Sequence, residues 1–89
     1  EVEAALMAHP SVSECAVVGI PDEERGSLVK AFVVLRDGTE ENEAMKQTLQ
    51  DFVKKTIAPY KYPRSIEFRK SLPKTETGKI QRFRLREEG

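Results

Sequence analysis

The sequence predicts a small α+β domain in which helices pack on a three-stranded sheet, with elements in the order α-β-β-α-β-α. Three observations carry this. Residues 15–20 and 28–35 form two short, mostly apolar runs rich in β-branched side chains, as central strands require. Met45, Leu49, Phe52 and Val53 recur at i, i+4, i+7 and i+8, which is the spacing of one helical face. Residues 65–69 alternate polar and apolar as a half-exposed strand should.

Val2, Ala5, Leu6 and Ala8 share a helical face, and Pro10 ends that pattern, so a short helix opens the chain. His9 belongs to the end of this helix; a lone histidine and one distant cysteine cannot build a zinc site. The loop at 21–26, with Pro first and Gly last, reverses the chain, so the two apolar runs read as an antiparallel pair with a wide connection. Arg36, Asp37 and Gly38 close the second strand, and Thr39 is the expected N-cap of the central helix. Glu40, Glu41 and Glu43 near the start of that helix and Lys54 and Lys55 near its end suit its macrodipole. Pro59 and Pro63 bracket a connector to the third strand, residues 72–79 read as a loop, and Ile80 and Phe83 are expected on one face of a short, very basic final helix.

Composition narrows the function classes. At 89 residues with 38% apolar content, the chain fits one domain with a modest core. The single cysteine, Cys15, lies inside an apolar run and offers no disulfide framework, so it reads as a small buried hydrophobe in a reducing compartment. No apolar segment approaches the roughly 18 residues of a membrane span, and no signal-peptide pattern opens the chain. The expectation is a soluble, cytoplasmic chain, or one of the mitochondrial matrix in a eukaryote. Because Glu1 opens directly into a helical pattern, without an initiator Met or a cap, a fragment of a longer protein is expected. Formal charge sums to zero but is divided unevenly. Residues 1–53 hold four bases and eleven acids, and residues 54–89 hold eleven bases and four acids. The basic half calls for an anionic partner: nucleic acid, a nucleotide or cofactor phosphate, or the acidic half of the same domain.

The segment richest in chemistry is Leu72-Pro73-Lys74-Thr75-Glu76-Thr77-Gly78-Lys79-Ile80-Gln81-Arg82. Glycine lets a backbone approach an anion closely, lysine brings a mobile point charge, and Thr75 and Thr77 offer hydroxyls that can hold the loop in shape. A Walker A loop is excluded, because Pro73 stands where its first Gly belongs and Ile80 where its Ser or Thr belongs. Gly78-Lys79 alone would more often be a solvated turn than a catalytic one.

The full string, Pro-Lys-Thr-x-Thr-Gly-Lys-Ile-x-Arg, resembles the last signature motif of the adenylate-forming superfamily, which includes acyl- and aryl-CoA synthetases, luciferases and peptide-synthetase adenylation domains. The likeness extends through the chain. Glu1-Val2-Glu3 resembles the end of the stretch that follows the superfamily's interdomain hinge. His9-Pro10-Ser11-Val12 and the run from Val17 to Glu23 resemble its first strand and loop, and Val29 to Val33 its second strand. The run from Ala58 to Phe68 is similar to medium-chain acyl-CoA and benzoate-CoA synthetases. Peptide-synthetase domains usually carry Pro-Asn-Gly-Lys with a following Asp, which this chain lacks.

The resemblance implies that residues 1–89 are the C-terminal lid domain of an acyl-CoA synthetase, without the large N-terminal domain that holds most of the ATP and acid pocket. It implies a two-step reaction in which a carboxylate attacks the α-phosphate of ATP bound to Mg2+, giving acyl-adenylate and pyrophosphate, and a CoA thiol then displaces AMP. Lys79 matches the catalytic, adenylate-binding lysine, supported by Thr75, Thr77 and Gly78. Arg25, Lys54 and Tyr62 match positions that contact CoA, and the small domain is expected to rotate between the two steps. The implied partners are the N-terminal domain, a carboxylic acid, ATP and CoA, with no metal bound by the fragment itself and no nucleic acid. Two rivals stay open: an adenylation fragment serving a carrier protein, and a basic nucleic-acid-binding module whose affinity would fall steeply with salt.

Overall fold

A computed structural model describes residues 2–24, 26–57 and 62–88. The elements are α1 (Val2–Met7), β1 (Val12–Asp22), β2 (Gly26–Leu35), α2 (Glu43–Thr56), β3 (Ser65–Phe68) and α3 (Arg82–Glu88), in the predicted order. The sheet runs β1-β2-β3. β1 and β2 are antiparallel, with Ala16 opposite Phe32 and Val18 opposite Lys30; β2 and β3 are parallel, with Ala31 opposite Ile66 and Val33 opposite Phe68. A parallel pair needs a crossover, and α2 provides it.

Alternation along the strands divides the core in two. On one face Val12, Cys15, Ala31, Val33, Leu35 and Ile66 pack with Ala5 and Leu6 of α1 and with Leu49 and Val53 of α2. On the other face Ala16, Val18, Phe32 and Val34 pack with Leu72 and with Leu85 of α3. Both faces are covered, which is why the two long strands read as nearly continuous apolar runs. Burying a leucine or valine as completely as Leu49 and Val53 contributes roughly 1.5–3 kcal/mol each. Cys15 is buried as expected, and burial first, then the nearby Glu3 charge, pushes its thiol up to about 11.

The folded chain corrects three expectations. The β1–β2 connection is tight, not wide: Pro21 and Asp22 belong to β1, and Asp22 pairs with Gly26, whose φ is +80°. Pro21 is tolerated there because β1 is an edge strand, where a missing N–H need cost no ladder bond. The N-cap of α2 is Asn42, not Thr39. Its side chain accepts from the Met45 N–H at 2.8 Å, and only Glu43 of the three acids lies in the first turn. Residues 72–79 form a loop as expected, drawn into a narrow hairpin by the bridge of Lys74 to Ile80. That bridge holds Ile80 outside α3, so the helix starts at Arg82 and its phase shifts. Leu85 is buried, and Phe83 stands 54% exposed.

His9 closes α1 as expected, accepting from the Ser11 N–H at Nδ1 (3.1 Å) and meeting the Phe52 ring edge-on with centroids 4.9 Å apart. Among the described residues no buried side-chain polar atom lacks a hydrogen bond, and no helix is long and apolar enough to cross a membrane.

Candidate functional site

The hairpin at residues 73–81 is built by its own sequence. Across it, the Thr75 N–H donates to the Lys79 carbonyl at 2.8 Å, and the Gln81 N–H donates to the Pro73 carbonyl at 2.8 Å. At the tip the Gly78 N–H donates to the Thr75 carbonyl at 3.0 Å, and Gly78 then takes φ +87°. A turn followed by a left-handed residue lets a three-residue loop join two paired segments, and glycine adopts that conformation without steric cost. A Cβ at Gly78 would meet nothing within 4 Å, so backbone conformation alone requires glycine there. The threonines act on the same turn. Thr75 Oγ1 accepts from the Lys79 N–H at 3.2 Å and lies 3.0 Å from Thr77 Oγ1. The fold thus brings Thr75, Thr77, Gly78 and Lys79 together at one exposed tip.

Charge pairing around this tip is selective. Lys74, on one arm, pairs with Glu14 of β1, and Arg82, just beyond the other arm, pairs with Glu3 of α1. Lys79, between them, is exposed and has no ion-pair partner among the described residues. These pairings also place part of the basic half of the chain against the acidic half. The Arg82 hydrogen bonds, chiefly, hold the Glu3 carboxyl below the usual carboxylate range against the opposing effect of burial.

Lys54 and Tyr62 meet on the opposite face of the sheet. Tyr62 packs against the α1/α2 core, and the Lys54 ammonium stands 4.2 Å from its ring centroid. Arg64 lies 4.8 Å from the same centroid and donates from its guanidinium to the Tyr62 hydroxyl at 3.0 Å. Two cations share one aromatic ring, each attracted by its π-electrons. Arg25 lies outside the described residues.

Sequence reasoning did not single out Arg64 or Glu3. Arg64 follows Pro63 in a connector where no period exposes a partner. Glu3 sits in a helical pattern where an acid normally faces water. Only the approach of α1 to the start of α3 marks Glu3. Among the described residues no group of three or more His, Cys, Asp or Glu side chains gathers as metal ligands would.

The profile of the AMP-binding enzyme C-terminal domain family matches residues 1–79. Over 86 residues the chain is 57% identical to an uncharacterized acyl-CoA ligase, YtcI, of Bacillus subtilis (strain 168), covering 97% of this chain and 16% of that protein. It is also 57% identical over 86 residues to the benzoate-CoA ligase of Thauera aromatica, with the same two coverages. The crystal structure of Brucella canis acyl-CoA synthetase superposes with a TM-score of 0.95 at 50% identity, over 98% of this chain and 16% of that one. The chain therefore spans about one sixth of the length of these relatives. A family match over most of its length, joined to relatives more than half identical, identifies the chain as a member of the AMP-binding enzyme C-terminal domain family of acyl-CoA ligases.

Proposed function

We propose that this domain works as the mobile lid of an AMP-forming acyl-CoA ligase and offers a different face to each half-reaction. The observation that carries the reading is the division of the candidate residues by the sheet. Lys79 has no ion-pair partner among the described residues and tips a hairpin seated on the α3 core through Leu72 and Ile80, whereas Lys54 with Tyr62 stands on the α2 face.

In the first step a carboxylate must attack the α-phosphate of ATP, forming the acyl-adenylate and expelling pyrophosphate, so two anions meet and negative charge gathers around phosphorus. A positioned ammonium stabilises that transition state, and Lys79 would supply it. Mg2+ would enter with the ATP polyphosphate as part of the substrate. In the second step the CoA thiol displaces AMP, and Lys54 and Tyr62, with Arg25, would hold CoA: the cations meet phosphate and the ring packs on the nucleotide. Most of the ATP site and the acid pocket, whether for a medium-chain or an aryl acid, would come from the preceding N-terminal domain. The domain alone would not activate a carboxylate.

The test is rapid-quench measurement of each half-reaction in the full-length enzyme. Lys79→Ala should lower adenylate formation by about two to three decades, or roughly 3–4 kcal/mol. It should leave acyl transfer from presynthesised acyl-adenylate near the parental rate. Lys54→Ala should do the reverse, weakening only the CoA-dependent step by about tenfold. Comparable losses in both steps for either variant, with folding unchanged, would reject the two-face reading.

A further inference from the structure

The hairpin carrying Lys79 is closed by its own backbone bonds, and Leu72 and Ile80 seat its base on the α3 core. Its tip is exposed, and α3 beyond it is a seven-residue helix with one buried residue, Leu85. Apolar anchors at the base hold the hairpin to the sheet but leave its direction to contacts with geometry of their own. The structure supplies a fixed point at each end, and the two differ in kind.

Lys74 meets Glu14 as a point charge on a flexible stem. Arg82 meets Glu3 as a fork: its Nε donates to Glu3 Oε2 at 2.8 Å, and its second guanidinium nitrogen donates to Glu3 Oε1. Two parallel bonds fix orientation as well as distance. Glu3 is itself held, because its Oε2 also accepts from the Val17 N–H of β1 at 2.8 Å. β1 is an edge strand, so the Val17 amide is a group the sheet does not use on that side. One carboxylate therefore ties three elements: α1, which bears it, the outer edge of β1, and the first residue of α3, three positions after Lys79.

We infer that Glu3 is a positioning residue for adenylation, setting through Arg82 where Lys79 stands relative to the sheet. This rests on the reading of Lys79 given above. Glu3 touches no reacting atom in this scheme. It acts by removing directions in which the hairpin could otherwise swing, and a displacement of about 1 Å at a reacting group is enough to cost rate.

Glu3→Gln in the full-length enzyme isolates the effect, since glutamine keeps an oxygen for the Val17 N–H and loses the charge that holds the fork. Adenylate formation should fall by about threefold, the factor that a partly exposed, solvent-screened ion pair can hold. Acyl transfer from presynthesised acyl-adenylate should stay within about twofold. Hydrogen exchange should quicken in peptides spanning residues 73–82 and not in those of α2. Unchanged exchange at 73–82 would overturn the inference whatever Lys79 does. Faster exchange with unchanged adenylation would overturn it too, as would equal losses in both steps. Lys79→Ala, run alongside, separates the failures. If that variant also leaves adenylation intact, the reading of Lys79 fails and the inference falls with it. If it lowers adenylation and Glu3→Gln leaves adenylation at the parental rate, only the inference about Glu3 falls.

Discussion

The two faces of the sheet are closed by different physics. Under α1 and α2, apolar side chains from two helices and three strands interlock, and Leu6, Leu49 and Val53 are completely buried. Under α3 the apolar contacts are fewer and charges surround them. Lys30 and Arg69 both bond Glu67, Arg69 also bonds Glu88, and the two cations stand 5.0 and 4.8 Å from the Phe32 ring centroid. Burial pushes the Glu67 carboxyl up, but the bonds from Lys30 and Arg69 outweigh it and leave it below the usual range. The difference separates stability from position. Apolar burial contributes the larger energy but tolerates sliding, whereas a partly exposed ion pair contributes about 0–1 kcal/mol yet fixes direction. The face that would present Lys79 is the one held by direction.

Truncating one core leucine on each face tests the difference between them most directly. Leu49→Ala should destabilise the domain by roughly 2–5 kcal/mol, because α1, α2 and the sheet leave little room for collapse. Leu85→Ala should sit near the low end of the same range, about 2 kcal/mol, since a seven-residue helix can settle into the space. Urea denaturation of the 89-residue chain measures both, and equal costs would show that the faces are equally rigid.

A smaller effect is expected at the hairpin tip. Gly78→Ala meets no steric obstacle and suffers only the left-handed backbone, a cost of about 1–2 kcal/mol. Because that strain is local to the turn, adenylate formation should fall while acyl transfer does not. An alanine variant with parental adenylation would show that the turn need not hold its geometry.

The smallest effect is electrostatic and depends on pH. The folded-state value of Glu3 is depressed, chiefly by Arg82, so its stabilisation is present above the ordinary carboxylate value of 4.5 and is lost as pH falls through the lower folded value. Its side chain is 30% exposed and Arg82's is 45% exposed, so solvent screening limits the contribution to about 0.5 kcal/mol. Thermal midpoints of the parent and Glu3→Gln should differ slightly near neutral pH and converge in acid. A gap that widens as pH falls would contradict the assigned pairing. The neighbouring Cys15 thiol, raised to about 11, stays protonated throughout this window.

What the sequence determined by itself was whatever neighbouring residues encode. Helical spacing in α2, β-branched runs in β1 and β2, alternation in β3, and the Thr-Gly-Lys tip are local patterns, and each appears where it was read. Phase was less legible. Helical spacing in the sequence places Ile80 and Phe83 on the inner face, but the Lys74–Ile80 bridge fixes where α3 begins and Leu85 is the anchor. Strand order, the meeting of Lys54 with Tyr62 and the separation of that pair from Lys79 by the sheet came only with the tertiary structure. So did the bond between Glu3 and Arg82, 79 positions apart. No local period encodes such pairings, because they depend on the path by which the crossover through α2 and the return through the hairpin bring distant segments to one sheet.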